Sequence, residues 1–214
     1  MPILKVNEIF LSIQGESSWA GLACAFVRLT GCPLRCRWCD TAYAYEDGEY
    51  LSLNEVVRRV LDFGVGLAEV TGGEPLAQAG TPELVSALLE GGLTVLVETG
   101  GSLDIGVLDR RARVILDVKC PSSGMSGRMR WPNLTKLRPH DEVKFVLAGR
   151  EDYEYARQVI IEYNLARRAS ALVSVAHGQI EPRRVVEWML DDRLPARFQL
   201  QLHKHIWPPD KRGV

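Results

Sequence analysis

Three cysteines within eight residues constrain this chain more than any other feature: Cys32, Cys36 and Cys39, in the run Gly31-Cys32-Pro33-Leu34-Arg35-Cys36-Arg37-Trp38-Cys39-Asp40-Thr41. A structural zinc takes four ligands, usually from two close pairs, and no second pair follows here within reach. A cube of four irons and four sulfides also has four corners to fill. Three thiolates leave one iron open to a substrate or cofactor. A disulfide framework fits poorly, because the five cysteines are odd in number and no apolar signal peptide is expected. Cys24, inside the apolar run from Ala23 to Leu29, reads as a small buried hydrophobe.

The rest of the chain must supply a scaffold for that loop. With 214 residues and 46% hydrophobic content, it is sized for one domain, residues 1–214, with a full core. No apolar stretch approaches the roughly 20 residues that span a bilayer. A net charge of -1 gives no electrostatic case for nucleic acid or membrane partners, and free thiols point to the cytoplasm. Strand candidates are Cys24 to Leu29, Leu67 to Thr71, Leu93 to Glu98, Arg113 to Val118, Glu142 to Leu147, Ala171 to Val175 and Phe198 to Leu202. Helices fall between them. Ser52 and Glu55 form a capping box, Thr81-Pro82 caps a helix ending at Gly91-Gly92, and Glu151 to Tyr163 and Glu181 to Leu190 are two more. The stretch from Pro121 to Pro139 reads as loop.

Alternation of strand and helix predicts an α/β fold with a parallel sheet. A closed eightfold barrel uses about 250 residues, so a partial, open TIM-like (β/α) barrel with an N-terminal extension fits better. The unusual residues support this, since Gly31-Cys32, Thr71 to Pro75, Glu98 to Gly101, Lys119 to Ser122, Ser174 to Gly178 and His203 to His205 all follow strand candidates. They would share the carboxyl-end face where such sheets bind ligands.

The cysteine run, followed by Thr71-Gly72-Gly73-Glu74-Pro75, resembles the radical S-adenosylmethionine (SAM) enzymes. The resemblance implies that the open iron of a 4Fe-4S cluster chelates SAM and that Gly72, Gly73 and Glu74 hold the SAM ammonium. It also places Trp38, Cys39 and Asp40 beside the cofactor. The segments Cys120-Pro121-Ser122 and Ser174-Val175-Ala176-His177 are candidates for ribose and adenine contacts. Glu98 is a candidate for positioning the ribose or assisting a proton transfer. His177 reads equally well as a solvated loop histidine.

Further segments narrow the resemblance. Asn7 to Ser17 with its Ile-Gln-Gly-Glu, Phe26 to Cys32, Cys39-Asp40-Thr41 and Gln199 to Lys204 are similar to the 7-carboxy-7-deazaguanine synthases from end to end. That family contracts 6-carboxy-5,6,7,8-tetrahydropterin to 7-carboxy-7-deazaguanine with loss of ammonia, on the route to queuosine. The resemblance implies substrate contacts from Ile13, Gln14, Gly15 and Thr71, a salt bridge from Arg28 to the substrate carboxylate, and a magnesium contact from Thr41. A planar guanidinium suits a carboxylate fork, and a hydroxyl is the hard donor that magnesium prefers. It further implies a flavodoxin or ferredoxin as reductant and a homodimer.

Some relatives end at the position of Pro209, where the terminal carboxylate reads the pterin; here the Asp210 side chain or Val214 is left to supply that anion. Two rival functions stand beside this reading. One is a radical SAM activase acting on a partner protein, which should lack the Ile-Gln-Gly-Glu stretch and an arginine like Arg28. The other is a zinc-binding interaction module.

Overall fold

The protein, described here as a computed structural model covering residues 2–214, folds around a single nine-stranded sheet in the order β3-β1-β2-β4-β5-β6-β7-β8-β9. The strands are β1 (Ile3–Ile13), β2 (Ala23–Leu29), β3 (Glu49–Ser52), β4 (Leu67–Gly72), β5 (Thr94–Thr99), β6 (Arg113–Val118), β7 (Glu142–Leu147), β8 (Ser170–Val175) and β9 (Arg197–Phe198). From β2 to β9 all neighbours are parallel, whereas β1 pairs antiparallel with both β2 and β3. β3 and β9 stand at opposite edges, so the barrel is open.

Period-two alternation divides each core strand between two environments. One set faces the helices: Val27, Leu29, Val70, Val95, Val97, Leu116, Val118, Phe145 and Val173 belong to the main buried cluster. The other set faces the hollow of the half-barrel. Its lower part is a small apolar plug of Cys24, Phe26, Leu67, Leu96 and Ile115, sealed by Phe10 and Trp19. Above the plug, the same faces carry Arg28, Glu69, Thr71, Glu98, Asp117 and Lys144, which line a cavity.

The helices form where the sequence expects them, with small shifts. α1 (Leu53–Leu61) starts at Ser52, whose side chain accepts from the Glu55 backbone N–H, and buries Leu53, Val56 and Val60. In α2 (Thr81–Glu90) the N-cap is Gly80 and not Thr81. The Thr81 hydroxyl instead donates to the Pro75 carbonyl, tying the helix to the preceding loop. α4 (Arg150–Glu162) and α5 (Pro182–Asp191) each lie within a residue of expectation, and α6 (His203–Ile206) is a short turn. The stretch from Pro121 to Pro139 is not plain loop: it holds two 3-10 turns and the short α3 (Pro132–Lys136).

Three corrections concern the sheet, the first being β3, a four-residue edge strand outside the expected set. The strand expected over Phe198 to Leu202 pairs with β8 only at Arg197 and Phe198, after which the chain leaves the edge. β1 escaped notice because a bulge between Val6 and Glu8 breaks its alternation. Leu4 and Val6 face the helix side, and beyond the bulge Glu8, Phe10 and Ser12 sit opposite Arg28, Phe26 and Cys24. Phe10 and Phe26 stack there with ring centroids 4.9 Å apart. No helix among the described residues is long and apolar enough to cross a membrane.

Candidate active site

At the carboxyl ends of β2 and β4 to β8 lies a cavity of about 410 Å³, a size typical of ligand clefts. Cys32, Cys36 and Cys39 all line it, each partly exposed, and none is disulfide-bonded. Burial pushes the thiols of Cys32 and Cys36 above the ordinary value, with the charge of Cys39 adding to both. A cationic metal centre bound there would reverse that balance and hold them as thiolates. Among the described residues no three His, Cys, Asp or Glu side chains converge tightly enough to hold a single ion. Ligands for three separate corners of a cube must spread apart, so this donor set fits a cluster better than zinc.

The loop that carries the thiols is braced from several sides. Arg35 folds back to donate to the Cys32 and Leu34 carbonyls at 2.6 and 2.7 Å and lies over the Tyr45 ring at 4.2 Å. The Arg37 backbone N–H donates to the Ser123 carbonyl at 3.1 Å. Gly73 lies so close that a Cβ there would meet the Gly31 carbonyl and come within 2.9 Å of the Cys32 Cβ. Gly72, at φ +149°, is pressed against the Leu29 backbone in the same way. These two glycines therefore let the loop after β4 nest against the cysteine loop.

Several expected site residues take other places. Glu74 is fully buried away from the cavity: Thr99 Oγ1 donates to its two oxygens at 2.8 and 2.9 Å, and the Gly100 and Leu76 amides donate at 2.8 and 3.1 Å. Its carboxyl ties the loop after β4 to the loop after β5. Cys120 is a core residue whose thiol turns to the Val118 carbonyl. Pro121 and Ser122 face α4, where the Ser122 amide is bound by Asp152; Ser123 is the member of that turn that reaches the cavity. Ser174 is buried beneath the cavity with an unpartnered hydroxyl, and Val175 lines a second hollow beside the first. The remaining expected residues do converge on the cavity: Ile13, Gln14, Gly15, Arg28, Trp38, Asp40, Thr41, Thr71, Gly72, Gly73, Glu98, Ala176, His177, Pro209 and Asp210.

Their partners refine their roles. Arg28 gives its Nε to Glu8 at 2.7 Å, and Glu8 also accepts from the Tyr43 hydroxyl at 2.9 Å. Thus Arg28 has the internal acid that an arginine on an apolar strand needs, while its two terminal nitrogens make no hydrogen bond among the described residues. Gln14 is held at both ends of its amide, donating to Glu69 and accepting from the Glu16 N–H at 2.9 Å. Thr41 precedes a 3-10 turn, but its hydroxyl makes no capping bond and lies 3.7 Å from the Cys39 sulfur.

Of the charged floor, sequence reasoning named only Glu98 as a site residue. Lys144 is buried among Glu16 at 2.7 Å, Glu98, and Asp117 at 3.8 Å, and Lys119 pairs with Asp117 at 2.8 Å. Burial works to raise the Glu16 carboxyl, but Lys144 overrides it and holds it below the usual range. For Glu98 burial outweighs Lys144, and its carboxyl is raised. Glu69 is raised well above the ordinary value by burial and then by the charge of Glu98. A signal for these groups was present, namely single charges in otherwise apolar strands: Glu69 in Leu-Ala-Glu-Val, Asp117 in Ile-Leu-Asp-Val and Lys144 in Val-Lys-Phe-Val.

The tail also closes on the cavity. Lys204 pairs with Asp40 at 2.7 Å, Arg212 lies 3.9 Å over the Tyr43 ring, and Pro209, Asp210, Lys211, Gly213 and Val214 line the wall.

An open barrel that presents three thiols beside a ligand-sized cleft defines a radical SAM enzyme, and the Radical SAM superfamily matches residues 26–161. A 7-carboxy-7-deazaguanine synthase of Chlorobaculum tepidum is 49% identical over 99% of this chain and 97% of its own length. One from Koribacter versatilis is 40% identical over 99% of this chain and 100% of its own. The chain belongs to the 7-carboxy-7-deazaguanine synthase family. Among solved structures, QueE from Escherichia coli aligns with a TM-score of 0.73 at 19% identity, covering 94% of this chain and 95% of that one. Streptococcus suis SuiB bound to S-adenosylmethionine aligns at 0.54 and 14% identity, covering 80% and 45%. These two likenesses concern the fold.

Proposed function

We propose that this protein catalyses the SAM-dependent radical contraction of 6-carboxy-5,6,7,8-tetrahydropterin to 7-carboxy-7-deazaguanine with loss of ammonia. The observation that carries the reading is the meeting, in one cavity, of Cys32, Cys36 and Cys39 with Arg28, Gln14, Glu69 and Thr41. Cys32, Cys36 and Cys39 are the ligands for a 4Fe-4S cluster. Held there with SAM, such a cluster would supply the one-electron reduction that begins the radical chemistry.

The chain's own residues bind and orient. Arg28, fixed through Nε by Glu8, presents its outer edge to the substrate carboxylate. Thr41, whose hydroxyl makes no capping bond and lies 3.7 Å from the Cys39 sulfur, would offer that oxygen to a magnesium ion. Gln14, with its amide clamped between Glu69 and Glu16, presents a fixed surface to the pterin edge. Asp210 is the closing acid, since it lines the wall without an ion-pair partner among the described residues. Arg37, exposed and unpaired at the rim of the cysteine loop, is the docking point for an acidic flavodoxin or ferredoxin. We further propose that the chain acts as a single domain and as a homodimer.

The test is anaerobic incubation with SAM, dithionite and 6-carboxytetrahydropterin, followed by mass spectrometry. 7-Carboxy-7-deazaguanine is the expected product. Iron-loaded protein that cleaves SAM yet leaves the pterin untouched would refute the substrate assignment.

A further inference from the structure

Asp152 is fully buried near the start of α4, outside the cavity, and both of its oxygens are used. One accepts from the Ser122 amide at 2.9 Å and the other from the Ala148 amide at 2.8 Å. An acid in the first turn of a helix commonly caps that helix's own start. Here one oxygen secures α4's own start, at the amide of Ala148 just before the N-cap Gly149, and the other reaches across to the loop after β6. That loop is itself wound tight, with Ser123 Oγ donating to the Cys120 carbonyl at 2.6 Å and accepting from the Met125 amide at 3.1 Å. Its outer edge then meets the cysteine loop: the Ser123 carbonyl accepts from the Arg37 amide at 3.1 Å, and the Met125 sulfur accepts from the Arg35 amide at 3.3 Å.

A connected path therefore runs from α4 through the Asp152–Ser122 hydrogen bond, the peptide link to Ser123 and the Ser123–Arg37 hydrogen bond to Arg37, which stands between Cys36 and Cys39. We infer that Asp152 is a positioning residue for the metal cluster, setting the height of the cysteine loop over the cavity although it touches neither thiol nor ligand. The inference rests on the reading that Cys32, Cys36 and Cys39 hold the cluster. Asparagine at this position has one acceptor oxygen for two N–H donors, so one of the two amides must face an NH2 group and let go. With the oxygen kept by the local Ala148 amide, the Ser122 amide is the one released, and the cysteine loop loses its register while keeping every ligand.

Asp141, which also pairs with the Arg138 guanidinium at 2.8 Å, provides the control. It is equally buried and accepts from the Val114 amide at 2.9 Å and the Arg138 amide at 2.8 Å, but at the amino end of the barrel. Asp152→Asn and Asp141→Asn in the full chain should both lower the melting temperature. Hydrogen exchange followed by mass spectrometry should separate them, both before and after anaerobic cluster reconstitution. In Asp152→Asn the peptide covering residues 33–39 should exchange about tenfold faster, the size expected for one lost hydrogen bond, whereas Asp141→Asn should leave that peptide at its original rate.

In the reconstituted proteins, iron content should match the unaltered chain, the EPR signal of the reduced cluster with SAM should shift in Asp152→Asn alone, and that variant should form more 5'-deoxyadenosine per product. Unchanged exchange at residues 33–39 in Asp152→Asn, or equal acceleration in Asp141→Asn, overturns the inference. If Asp152→Asn does not fold, Ser123→Ala loosens the same turn from its other end and should give the same exchange signature; an unchanged rate there overturns it equally. Failure of the unaltered chain to take up iron would instead count against the proposed function, because the exchange result before reconstitution stands without it.

Discussion

Gly73→Ala is the sharpest probe of how the cysteine loop is seated. The added Cβ would lie 2.8 Å from the Gly31 carbonyl carbon and 2.9 Å from the Cys32 Cβ, while ordinary contact begins at 3.4 Å. Both obstacles are backbone or the first atom of a side chain, so no rotamer change relieves them. The cysteine loop must retreat by at least about half an ångström. Overpacking of this kind costs about 1–3 kcal/mol, offset by about 0.4–1 kcal/mol because alanine restricts the unfolded chain. Taking the middle of each range, the net loss of about 1.3 kcal/mol corresponds to a fall of about 3–5 °C in melting temperature for a protein of this size. Catalytic geometry should suffer more, since a misplacement approaching 1 Å costs up to about a hundredfold in rate; about tenfold is expected here. Gly66→Ala is the comparison, because a Cβ at Gly66 meets nothing within 4 Å. It should hold or slightly raise the melting temperature. The assay is differential scanning calorimetry on both variants, with single-turnover formation of 5'-deoxyadenosine. If Gly73→Ala melted as high as Gly66→Ala and turned over at the original rate, the glycine would not be there for close packing and the reasoning would fail.

Other perturbations test the charged floor and the rim. A raised carboxyl keeps its proton in the folded state while the unfolded chain gives it up, so Glu69 removes stability as pH rises above 4.5 toward its folded value. Glu69→Gln should therefore flatten the fall of melting temperature with pH above 4.5, and an unchanged pH profile would show that Glu69 is ionised in the fold. Lys144→Met leaves Glu16 and Glu98 facing each other without their cation; loss of one partner of a buried pair costs about 3–5 kcal/mol, which urea unfolding will report as a lower midpoint. Arg37→Glu should slow turnover with a flavodoxin or ferredoxin in a salt-dependent way while sparing turnover with dithionite, and equal losses with both reductants would refute docking there. Thr41→Ala should weaken the response of product formation to magnesium at unchanged iron content, and an identical magnesium titration would exclude the hydroxyl as a ligand.

Much of this protein is local and therefore legible in its sequence. Thiol spacing is a property of one loop, so Cys32, Cys36 and Cys39 pointed to the radical SAM class without a fold. Helix starts such as Ser52 with Glu55, and the alternation of apolar strands with helices, depend on neighbours a few residues away, and they gave the class of sheet correctly. What the sequence could not show was which partners a residue would meet. Glu74 read as a ligand-facing carboxylate, yet Thr99 and Gly100, supplied by the next strand end, turned it into an internal tie. Gly72 and Gly73 read as room for a ligand; they do line the cavity, but the space a Cβ would take is filled by the backbone of β2 and the cysteine loop.

The charged floor makes the same point most clearly. Strand periodicity alone puts Glu69, Glu98, Asp117 and Lys144 on the inner faces of four strands, but their common level comes from the register of the parallel ladder, with Asp117 directly opposite Lys144. Glu16 arrives from 128 residues before Lys144 in the chain, carried in by the segment that follows β1. Sequence fixes which groups are available and on which face of an element they lie. Only tertiary structure decides which of them share a low-dielectric space, and it is that sharing, through burial and the nearest opposite charge, that sets whether each one is a ligand, a proton holder or a tie.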